Sequence, residues 1–79
     1  VKARVVVTLK TGVLDPQGKA IEGALRSLSI AGIGSVRQGK VFDVEIDGED
    51  RDSARKTLNE ACERLLANTI VENYSVEIA

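Results

Sequence analysis

Asp15-Pro16-Gln17-Gly18-Lys19 is the stretch of this 79-residue chain whose residue types could do chemistry in one place. An acid directly before proline reads as a helix N-cap followed by the first helical position. The missing proline N–H costs nothing there, and its φ is already helical. A helix start also offers free backbone N–H groups, with Gln17 and Lys19 beside them, so the segment could receive an anion or a partner. Read plainly, it is a cap. One glycine is not a phosphate cradle, and neither Walker nor dinucleotide spacing is present. Arg37-Gln38-Gly39-Lys40 is a second basic group, able to touch a phosphate or simply to solvate a turn. Cys62 could be a nucleophile, but the chain has no His to activate it. It falls at an inward helical position, where a free Cys behaves as a small hydrophobe. Asp43, Glu45, Asp47, Glu49, Asp50 and Asp52 are numerous, yet they fall on outward positions or in a loop, as solvated carboxylates do.

Composition narrows the function further. Eleven Lys and Arg against twelve Asp and Glu leave a net charge of −1, without the basic excess of a non-specific nucleic-acid binder. Phe42 and Tyr74 are the only aromatics, too few for a base-stacking platform. No apolar run approaches the ~20 residues that span a bilayer, and no signal-peptide pattern opens the chain. A single Cys forms no internal disulfide, so the expected compartment is the reducing cytoplasm. Residues 1–79 make one domain. Without disulfide or metal, oligomerisation is the usual remaining source of stability for so small a core.

The elements that must position these residues follow from periodicity. From Lys2 to Leu9, Ala3, Val5, Val7 and Leu9 alternate with Lys2, Arg4 and Thr8, which predicts a half-buried strand with Val6 on its outer face. Ile21, Ala24, Leu25 and Leu28 recur at helical spacing after the Asp15 cap, and the helix is expected to stop near Gly32. Phe42, Val44 and Ile46 share one strand face, with Val41, Asp43 and Glu45 on the other. Residues 35–46 are read as two strands around Gln38-Gly39, the rival being one long strand bulged at Gly39. Asp50 or Asp52 caps a second helix carrying Ala54, Leu58, Ala61, Cys62 and Leu65 inward. Glu60 and Arg64 form an i,i+4 pair on it. Leu66 falls beside that stripe, where it either widens the buried face or stays exposed as a contact. Asn68 is a plausible left-handed helix terminus, and Tyr74, Val76 and Ile78 point inward from the last strand. The order is β-α-β-β-α-β: an α+β two-layer sandwich, ferredoxin-like in plan, with two helices on one face of an antiparallel sheet.

Three segments add a resemblance. Leu9 to Ile21, with Leu14-Asp15-Pro16-Gln17-Gly18-Lys19 at its centre, resembles the opening of the PurS family. Val36 to Lys40 resembles its middle, and Cys62 to Asn68 with Val71-Glu72-Asn73-Tyr74 resembles its end. Thr11 and Thr69 stand where such proteins often have proline. The resemblance implies a small subunit of phosphoribosylformylglycinamidine synthase, which makes the amidine from formylglycinamide ribonucleotide, glutamine and ATP in purine biosynthesis. It implies a chain that is not catalytic alone and carries no cofactor. A glutaminase subunit releases ammonia, and a synthetase subunit holds ATP and Mg²⁺. The PurS-type chain dimerises and bridges them, with neither nucleic acid nor membrane as a partner. Val6, Asp15, Gln17, Lys19, Arg37, Val41, Leu66 and Asn68 are the expected dimer or partner contacts, inferred from this chain's own pattern. The alternative is a small-molecule sensor of the ACT type, which shares the strand order.

Overall fold

The computed structural model describes Val1–Ala79. Strand β1 runs Lys2–Leu9, helix α1 Pro16–Ser27, strand β2 Gly39–Glu45, helix α2 Arg51–Ala61 and strand β3 Glu72–Ile78. The three strands form one sheet in the order β2-β1-β3, antiparallel throughout. Alternation along β1 does what the sequence predicts. Ala3, Val5 and Val7 are buried on the inner face, while Lys2, Arg4 and Thr8 are exposed on the outer one. Helix α2 lies over that inner face. Leu58 and Cys62 join the three β1 residues and Ala67 in the core, with Phe42, Val44, Tyr74, Val76 and Ile78 packed at its edge.

The α+β class and the antiparallel sheet are those expected, with one strand fewer. Residues 35–38 form neither the first arm of a hairpin nor the start of a long bulged strand. They carry no regular structure, and two of their N–H groups are taken by carboxylates of α1 and its cap instead of by a neighbouring strand. The Val36 N–H donates to Glu22 Oε2 at 3.2 Å and the Gln38 N–H to Asp15 Oδ2 at 2.6 Å. Strand β2 begins at Gly39, where a Cβ would come within 2.5 Å of the Val7 carbonyl oxygen. Close approach to β1 requires the glycine there, not a turn.

Helix α1 departs furthest from the plan. It ends at Ser27 with Leu28 as its C-cap, about one turn before Gly32. The Ser29 N–H donates to the Arg26 carbonyl and the Ile30 N–H to the Leu25 carbonyl, with Ser29 at φ 61°. That is a Schellman termination with serine in the left-handed position. The helix does not cover the sheet. Its buried residues are Gly18 and Glu22, while Ile21 is exposed and Leu28 is 69% exposed. With the returning segment through Gln38, α1 forms an arm that runs away from the sheet. The molecule therefore measures 49 × 25 × 14 Å with a radius of gyration of 15.9 Å. A compact chain of this length would have about 12 Å. Ten of 79 residues are buried, so the chain by itself closes only a thin core.

The end of α2 corrects a second expectation. The helix passes into a π turn over Cys62–Leu66, closed by the Ala67 N–H on the Cys62 carbonyl at 3.0 Å. A π turn takes up one extra residue per turn and rotates the side chains beyond it. Leu65, expected inward, is 82% exposed, and Leu66 packs on the core instead.

Candidate assembly site at the base of the arm

The arm joins the body through a polar clasp built on the first helix turn. Asp15 is buried and uses both carboxylate oxygens. Oδ1 accepts from the Gly18 N–H at 3.0 Å, which is the predicted cap, and Oδ2 accepts from the Gln38 N–H. Those two bonds, with Arg37 nearby, hold its carboxyl below the usual carboxylate range. Further along the same helical face, buried Glu22 accepts the Val36 N–H, and Lys19 Nζ sits 3.6 Å from the same oxygen. Gly18 lies between them, and a Cβ there would clash with the Val36 carbonyl oxygen. Side chains at 15, 18 and 22 share one helix face. Two acids thus hold alternate residues, Val36 and Gln38, of the returning segment, and the glycine lets it approach.

Arg37 fixes the other side of the joint. Its guanidinium donates to the carbonyls of Leu9, Lys10 and Val13, at 3.3, 3.1 and 3.2 Å. The planar fork is suited to several acceptors at once. The Lys10 N–H reaches the Val71 carbonyl at 2.9 Å, which ties the same loop to the turn before β3. A cleft of about 210 Å³ opens here, lined by Val7, Leu9, Asp15, Gln17, Gln38, Gly39, Lys40 and Glu72. Lys40 and Glu72 face each other across its sheet side at 3.6 Å.

Of the contact residues expected from sequence, Asp15, Gln17 and Arg37 come together at this joint, with Lys19 one turn along α1. Val6 and Val41 are direct cross-strand partners on the outer sheet face, where Val41 is 58% exposed and Arg4 pairs with Asp43 at 2.9 Å alongside. Leu66 is half-buried and packs against the core, widening the buried face, while the π turn leaves Leu65 outside. Asn68 is not in a left-handed conformation. It anchors the turn into β3. Its N–H donates to Glu72 Oε1 at 2.6 Å, its side-chain oxygen accepts from the Ile70 N–H, and its carbonyl accepts from Val71 and Glu72. Sequence reasoning missed Glu22 and Gly18. The signal lay in their spacing from Asp15, which puts a glycine and an acid on the capped face of the helix.

Cys62 is fully buried and burial pushes its thiol up, away from the thiolate a nucleophile needs. The Tyr74 hydroxyl donates to Glu63 at 2.8 Å, which raises its pKa in turn. Asp43, Glu45, Asp47, Glu49, Asp50 and Asp52 are all exposed, and Asp50 caps α2 through the Asp52 and Ser53 N–H groups. No helix is long and apolar enough to cross a membrane.

Fold and joint together define a small α+β subunit of ferredoxin-like plan, with an arm clasped to its sheet by buried carboxylates. Proteins of known structure share this fold. A family model described as PurS, phosphoribosylformylglycinamidine (FGAM) synthase, matches residues 2–79. The PurS subunit of Bacillus subtilis is 44% identical over 98% of this chain and 90% of its own length. That of Mycobacterium leprae is 48% identical over 95% and 91%. The solved PurS subunit of Thermotoga maritima superposes with a TM-score of 0.88 at 35% identity, covering 98% of this chain and 90% of that one. A chain in the structure of PurLQS from the same organism also gives 0.88, at 35% identity over 98% and 95%. The chain belongs to the PurS family of FGAM synthase subunits. That sets aside the ACT-type sensor.

Proposed function

We propose that this chain is a non-catalytic bridge in a phosphoribosylformylglycinamidine synthase complex, working as a two-fold dimer that holds a glutaminase subunit against an ATP-dependent synthetase subunit. The observation that carries the reading is the arm. Helix α1 and its flanking segments present Leu14, Ile21, Leu28, Ile30 and Ile33 to solvent, and a chain of this size gains more by burying such residues against a second surface than by exposing them. The similar chain in a structure of PurLQS from Thermotoga maritima supports assembly with other subunits.

In this reading the chemistry belongs to the partners. ATP and Mg²⁺ sit on the synthetase, glutamine is hydrolysed on the glutaminase, and this chain works in the cytoplasm without nucleic acid or membrane. Val6, Val41 and the arm are its contact surfaces. Light scattering at micromolar concentration tests the dimer directly. The expected mass is at least twice the 8.5 kDa of one chain. A folded species at the single-chain mass contradicts it.

A further inference from the structure

We propose that residues 15–38 form a strap closed by Asp15 and Glu22, which opens as one unit without the sheet and must be closed for the chain to assemble. The last step rests on the dimer proposed above. The apolar core lies wholly in the body: Ala3, Val5 and Val7 of β1, Leu58, Cys62 and Ala67. The arm's own buried side of α1 is Gly18 and Glu22. The strap is therefore held shut chiefly by hydrogen bonds to two carboxylates and by the Arg37 fork, while hydrophobic burial holds the sheet. Segments with few buried apolar contacts open at lower free energy than the core. The closed strap also fixes where the exposed face of α1 points, because Asp15 ties both the helix start and the residue entering β2 through one carboxylate.

Asp15 allows a clean test because its two oxygens do separate jobs. In Asp15→Asn the one remaining oxygen still caps Gly18, since Asn is as good an N-cap as Asp. The amide NH₂ then faces the Gln38 N–H, donor against donor, and the strap loses its latch. Gly18→Ala opens it by another route, placing a methyl group against the Val36 carbonyl and the Asp15 carboxylate without removing either acid. Amide hydrogen exchange on the full chain at neutral pH is the readout. In each variant the Gln38 and Val36 amides should exchange about tenfold to a hundredfold faster, the scale of one charge-assisted hydrogen bond. The Val5 and Val7 amides of the sheet should not change, and the Gly18 amide should stay protected in Asp15→Asn. Unchanged Gln38 exchange, or an equal acceleration in the sheet, overturns the independent strap. In the double variant, where the strap stands open, the dimer dissociation constant should rise at least about tenfold. An unchanged constant overturns the coupling to assembly. A wild-type chain that never dimerises instead defeats the dimer itself, with the exchange data still deciding the strap.

Discussion

Asp15 shows how much one side chain can decide here. It caps α1 and holds the entry to β2, and both bonds favour its charged form. Its folded pKa lies below the free value of about 3.9. A group depressed in the folded state stabilises fully above its unfolded pKa and loses that contribution as pH falls through the folded value. Wild type should therefore exceed Asp15→Asn in urea midpoint at neutral pH, and the gap should close as the pH drops below about 4. A gap that stays constant into acid would mean the charge contributes nothing. Cys62 is the opposite case, a reactive type in an inert place. Cys62→Ala should cost about 1 kcal/mol, as for removing one small buried group, and leave assembly intact. Rapid labelling of the native thiol would contradict its burial.

At the scale of elements, periodicity made β1, α2 and β3 legible, because each has one face committed to the core. The cap of α1 was equally plain, since Asp-Pro specifies it by local chemistry alone. What could not be read was the π turn. Cys62-Glu63-Arg64-Leu65-Leu66 carries no sequence mark of an added residue, and a 3.6-residue period assigns Leu65 to the core. The structure makes the opposite assignment testable. Leu66→Ala should destabilise by about 2 kcal/mol, while Leu65→Ala should stay within about 0.5 kcal/mol of wild type. Chemical denaturation of the two variants separates them, and reversed magnitudes would restore the unbroken helix. The missing fourth strand has a related cause. Val36 and Gln38 look like strand residues, but their partners are side chains at the start and on the buried face of α1. No backbone pattern shows that a carboxylate, rather than a neighbouring strand, will take an N–H.

For the whole molecule, the three family-like segments fall where the architecture turns. Leu9 to Ile21 makes the arm joint, Val36 to Lys40 closes it, and Cys62 to Tyr74 makes the π turn and the Asn68-anchored entry to β3. Of the expected contacts, those at the joint gathered as one site because a cap and its loop are local. Leu66 and Asn68 did not, because their surroundings depend on the π turn and on the turn before β3. An elongated shape with an uncovered helix suits a part that completes itself against other chains. Ammonia released into water is diluted and protonated, so a glutaminase and a synthetase gain by being held together. A rigid bridge can do that with no reaction of its own. The most direct measurement is reconstitution of glutamine-dependent amidine formation from a matching glutaminase and synthetase, with and without this chain. The bridging account predicts a low rate in its absence and a strong rise on its addition, with no hydrolysis of glutamine or ATP by the purified chain alone. Equal rates with and without the chain would contradict it.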